Sequence, residues 1–101
     1  MTGLVIVTFD MHEAVPEDYV YVTEHLAKIG LKKDVVGRKK IVLSLPNNTY
    51  LMEIEPPENS RQYVIDMRKK VKEIIKRRVK EAEVYVLIAP SNWGWAFGKV
   101  K

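Results

Sequence analysis

Residues 4–9, Leu-Val-Ile-Val-Thr-Phe, limit this chain more than any other stretch. Six residues are too short for a helix of ordinary length, the β-branched side chains favour extended backbone, and no polar alternation marks a wet face. The run therefore predicts a strand lying centrally in a sheet, ending at Asp10. The rest of the chain must supply its neighbours and its cover.

The next segments do so in order. Pro16 suits the first turn of a helix, Glu17 and Asp18 favour its positive end, and Val15, Tyr19, Val22, Leu26 and Ile29 recur at helical spacing up to a closing Gly30. Residues 31–36 and 40–45 flank Gly37-Arg38-Lys39 and read as a hairpin with a basic tip, stopped by Pro46 and Asn47-Asn48. Tyr50, Met52 and Ile54 alternate with Leu51, Glu53 and Glu55, enough for a short extra strand. Beyond Pro56-Pro57, Asn59 or Ser60 can cap a long helix whose apolar stripe runs through Val64, Met67, Val71, Ile74 or Ile75, and Val79. Residues 83–89 form the last clear strand.

The order βαββαβ predicts an α+β, ferredoxin-like sandwich: one antiparallel sheet with both helices on one face, and the tail 91–101 as a probable extra strand. With 101 residues the chain is expected to be a single domain. Its final strand has no charged residue after Glu83, although exposed sheet edges are normally protected by charge, proline or bulges. Trp93, Trp95 and Phe97 recur at every second position of the tail, and each can bury about 150 to 250 Å². Pairing of this aromatic strand with the bare edge, within the chain or across a homodimer, is the expected use; base stacking is the alternative.

No cysteine is present, so disulfides and thiolate metal sites are excluded and a reducing, cytoplasmic setting is expected. The N-terminal apolar run has no basic flank and falls far short of the roughly 20 residues that span a bilayer, so no membrane role is expected. Residues 68–80 hold eight basic residues against Glu73 alone. Arg68, Lys69, Lys72, Lys76, Arg77 and Lys80, with Arg38 and Lys39 of the hairpin tip, are the candidate contacts to RNA or DNA, or to an acidic protein partner. A lysine-rich solubilising face explains the same residues.

If the first strand persists through residue 12, Asp10 and His12 stand at alternate positions and project to one side. A carboxylate and an imidazole there suit base and acid roles, or a divalent cation at Asp10; the plainer reading is a loop cap and a solvated histidine. His25 reads as structural, and Asp66, Glu73 and Glu81 as helix-face charges.

Asp10-x-His12-x-Ala14, Asp18-Tyr19, Gly30, Leu45-Pro46, Tyr50 and Trp93 resemble a family of small bacterial and phage proteins catalogued as a domain of unknown function. That family often carries a histidine where this chain has Thr23, which keeps His25 out of the implied site. More remotely, the βαββαβ order with an acid after the first strand is similar to the endoribonuclease-like subunit of the CRISPR adaptation complex and to the GhoS-type antitoxin. That resemblance implies a homodimer with Asp10 of each subunit near the two-fold, magnesium-dependent RNA cleavage, and a last strand that joins the partner's sheet. A non-catalytic, antitoxin-like or phage accessory regulator is the rival class.

Overall fold

The computed structural model describes residues 2–37 and 40–100. In chain order the elements are β1 (Gly3–Met11), α1 (Pro16–Lys28), β2 (Asp34–Val36), β3 (Val42–Ser44), β4 (Thr49–Ile54), α2 (Ser60–Lys76) and β5 (Ala82–Ala89). Strands β4, β1 and β5 form an antiparallel sheet with β1 in the centre, and among the described residues β2 pairs with β3 in a separate ladder. The fold is α+β.

Alternation along β1 decides what each face does. Val5, Val7, Phe9 and Met11 are buried in one cluster with Val22 and Leu26 of α1 and Met67, Val71, Ile74 and Ile75 of α2. Both helices therefore cover one face of the sheet. Tyr50 and Met52 extend that core from β4, Phe9 stacks on Tyr50 at 5.4 Å, and the Tyr50 hydroxyl shares a 2.7 Å hydrogen bond with Thr23. The opposite face carries Leu4, Ile6, Thr8, Asp10, Leu51, Glu53, Glu83, Tyr85 and Leu87.

Local chemistry fixes the helix ends. The Asp18 carboxylate accepts from the Val15 N–H at 3.0 Å, and the Asn59 side chain accepts from the Gln62 N–H at 3.0 Å, each satisfying a donor near a helix start. Gly30 closes α1 at φ +98°, where a Cβ would fall 2.6 Å from the Met52 sulfur. Only glycine fits both the turn and the contact.

Three expectations are corrected. The sheet position beside β1 is taken by β4, read from sequence as a short extra strand, while the 31–36/40–45 hairpin forms a separate two-stranded sheet. The reason lies in what each segment can bury: Tyr50, Met52 and Ile54 all face the helices, whereas Val36 and Val42 of the hairpin are 65% and 64% exposed. The hairpin meets the main sheet through one reciprocal bridge, Lys32 to Leu51, with both N–H···O distances 2.9 Å.

β1 also runs past Phe9 to Met11, which brings Asp10 into the ladder. Finally, the aromatic tail forms no strand among the described residues and leaves the outer edge of β5 unpaired. The Trp93 indole N–H donates to the Thr2 carbonyl at 3.0 Å. Trp95 and Phe97 line a hollow with Val36, Gly37 and Leu43 of the hairpin. Apolar surface was available there without a backbone ladder.

Candidate functional site

Because β1 and β5 pair with Asp10 opposite Glu83, two carboxylates face each other on the open side of the sheet. Like charges in that position destabilise a sheet unless something positive lies between them. His12 supplies it. The ladder continues as its N–H donates to the Glu81 carbonyl at 3.0 Å, and its ring reaches back over Glu83.

His12 Nε2 lies 2.7 Å from Glu83 Oε1, and Nδ1 lies 3.4 Å from Glu81 Oε2. The hydrogen bond to Glu83, then its charge, raises the His12 pKa above the usual imidazole value, with smaller help from Asp10 and Glu81. In the imidazolium form Nε2 donates to Glu83, and Glu81 adds a second negative charge beside Nδ1.

One donor atom from each of Asp10, His12 and Glu83 lies within 4.8 Å of the others, and all three residues are exposed. These three groups could hold one divalent cation, with coordination positions left to water or substrate. Metal-bound histidines usually donate their second ring N–H to a carboxylate, the position Glu81 occupies. One imidazole nitrogen and two carboxylate oxygens suit Mn²⁺, Fe²⁺ or Zn²⁺ better than Mg²⁺.

The cations of residues 68–80 divide by the element they face. Arg78 pairs with Asp18 at 2.9 Å and lies over the Tyr21 ring, and Arg77 Nη1 lies 3.4 Å from the Tyr21 hydroxyl, so both turn toward α1. Asp18 is buried, and the Val15 N–H first, then Arg78, hold its carboxyl below the usual carboxylate range. That arginine is occupied by the fold.

Lys72, Lys76 and Lys80 instead line a groove of about 230 Å³ against Ala82 and Val84 of β5. Val79 and Lys80 also line the cleft that contains His12, Glu13 and Glu81. The groove and the His12 cleft thus share Val79 and Lys80 as a common border. Arg68 and Lys69 are exposed higher on α2, whereas Arg38 and Lys39 lie outside the described residues.

Trp93 and Trp95 lie beside Leu4, at the far end of β1 from Asp10. Six residues of strand, about 20 Å, separate the two ends. His25 bonds the Tyr21 carbonyl at 2.8 Å and stacks on its ring at 3.9 Å, a structural role.

Sequence reading missed Glu83 and Glu81. Glu81, expected on a helix face, lies beyond the end of α2 and turns to His12. A signal for Glu83 was present: an acid directly after one apolar run and another directly before the last become partners if those runs pair antiparallel.

No protein-family model, curated protein or solved structure matches the chain. Among the described residues, no helix is long and apolar enough to cross a membrane.

Proposed function

We propose that this chain is a nucleic-acid-binding protein with a metal-dependent phosphodiesterase site at Asp10, His12 and Glu83, on a ferredoxin-like sheet whose fourth strand is reduced to the Lys32–Leu51 bridge. The observation that carries the proposal is the position of Lys80, which borders both the lysine groove and the His12 cleft. A backbone held by Lys72, Lys76 and Lys80 would reach, at Lys80, the cleft that His12 and Glu81 line.

Each residue has a distinct part. Lys80 neutralises the phosphate nearest the cleft, Asp10 and Glu83 offer hard oxygen donors, and Glu81 fixes the tautomer that leaves Nε2 free. A divalent cation held there would polarise a phosphoryl oxygen and lower the pKa of a bound water. The donor set shifts the expected metal from magnesium to manganese.

Calorimetric titration with Mn²⁺ and cleavage of single-stranded RNA in its presence test the proposal together. Glu83→Gln is expected to weaken Mn²⁺ binding by about a hundredfold, and Glu81→Gln by about tenfold. Asp10→Asn is expected to abolish cleavage, and RNA binding should weaken with salt by a slope of about 0.7 per phosphate neutralised. Undiminished cleavage by Asp10→Asn, or Mn²⁺ binding indifferent to Glu83→Gln, would sink the reading.

A further inference from the structure

The outer edge of β5 combines two properties that seldom occur together without a purpose. It is a bare row of backbone donors and acceptors, and it lies beneath a cationic helix flank.

The register shows which groups are bare. Because the His12 N–H donates to Glu81, and Asp10 is opposite Glu83, residues 83, 85 and 87 of β5 address β1 with their own N–H and C=O. Those of Val84, Val86 and Ile88 point outward, and among the described residues no strand pairs with them. Their side chains lean toward the helix layer, where Lys72, Lys76 and Lys80 border the groove. On the other face of the same strand, Tyr85 and Leu87 are 61% and 46% exposed. No lysine, proline or bulge interrupts the edge from Val84 to Ala89, so nothing in the strand discourages an added one.

Charge selects the occupant. Antiparallel pairing of β5 with β5 of a second copy would keep both helix layers on one face and bring two rows of lysines together. The 91–101 tail of a second copy would bring Lys99 and Lys101 and no acid. Nucleic acid has no counterpart to the alternating N–H and C=O of a strand edge, whereas a peptide has both.

We propose that β5 is the docking edge for an acidic segment of another protein, added as an extended strand whose alternate carboxylates meet Lys72, Lys76 and Lys80. The pleat dictates the pattern: acids toward the helix, apolar or β-branched residues beside Tyr85 and Leu87. This site stands independently of the metal reading. Since it uses the same three lysines, a bound acidic strand would exclude nucleic acid from the groove.

The probe is a labelled peptide alternating glutamate with valine over about eight residues, the span of β5. Its binding is measured by anisotropy without metal, in wild type and Asp10→Asn alike, so the result does not depend on catalysis. Expected are binding that weakens with salt, an about tenfold loss in Lys72→Glu/Lys76→Glu, and slowed amide exchange at Val84, Val86 and Ile88. A peptide of identical composition with its glutamates in one block, and one N-methylated at alternate residues, should bind poorly.

Equal binding of either control peptide, or absence of binding at low salt, overturns the proposal. So does a single-stranded oligonucleotide that binds where the peptide does not. Self-association that protects the same three amides without peptide would assign the edge to a second copy instead.

Discussion

The two edges of the three-stranded sheet were treated differently by the same chain. Beyond β4 lie the Lys32–Leu51 bridge, the β2–β3 hairpin and the aromatic tail, which together enclose a cleft of about 560 Å³ with Leu4, Val35, Val36, Leu51, Trp93 and Trp95. Among the described residues no strand lies beyond β5, although β4 and β5 each carry a single charged residue, Glu53 and Glu83. Every piece of chain available as a cover went to one side.

The comparison is broken most severely by exchanging the roles of two tyrosines. Tyr50 on β4 is 1% exposed, stacked on Phe9 and bonded to Thr23, whereas Tyr85 on β5 is 61% exposed. Tyr50→Ala is expected to cost about 3 to 5 kcal/mol in urea unfolding, the range for large buried aromatics. Tyr85→Ala should stay within about 0.5 kcal/mol. Comparable losses would mean that the β5 side is as closed as the other.

The next effect belongs to the covered side alone. Gly30→Ala forces a side chain into left-handed backbone and against Met52, and should cost about 1 to 2 kcal/mol in the same measurement. Its larger consequence is to push the α1–β2 connection off β4, visible as lost amide protection at Leu51.

pH tests the ionic contacts near the β5 side. The Asp18 pKa is depressed in the folded state, so its contribution is complete above the unfolded carboxyl value near 3.8 and is lost as pH falls through the lower folded value. Asp18→Asn should lower Tm at neutral pH and flatten the acid limb of the Tm profile; parallel profiles would deny the carboxylate its role. The His12 pKa is raised, so its contribution is present below about 6.5 and fades as pH rises through the folded value. In metal-free protein, removing Glu83 should return its ring titration toward 6.5 by NMR.

The smallest expected effect is Leu87→Lys. It should leave unfolding within about 0.5 kcal/mol of wild type while weakening binding of the alternating glutamate–valine peptide, because charge on an edge strand discourages pairing.

Much of the layout was readable from residue order. The run 4–9 named a central strand, and the spacings around Val22, Leu26, Met67 and Val71 named the buried stripes of both helices. What local pattern could not decide was membership: the hairpin and the 49–54 segment both read as strands, and only competition for the helix-covered face, won by Tyr50 and Met52, assigned one to the sheet. The site divided in the same way. Asp10 near the end of β1 and His12 just past it stand two residues apart and were visible from alternation, while Glu83 reaches them across a register that no short window contains. The basic helix was plain as composition, but its division into Arg77 and Arg78 facing α1, and Lys72, Lys76 and Lys80 facing β5, depends on where the neighbouring elements pack.

The placement of the tail also sets what spectroscopy will see. Both tryptophans of the chain sit in the tail, against the hairpin and the start of β1, and none lies in the core beneath the helices. Intrinsic fluorescence is therefore a gauge of tail docking, while circular dichroism reports α1 and α2. Heating should shift the emission maximum before helical signal is lost, since one bridge and one indole hydrogen bond secure the outer layer and a continuous apolar cluster secures the inner one.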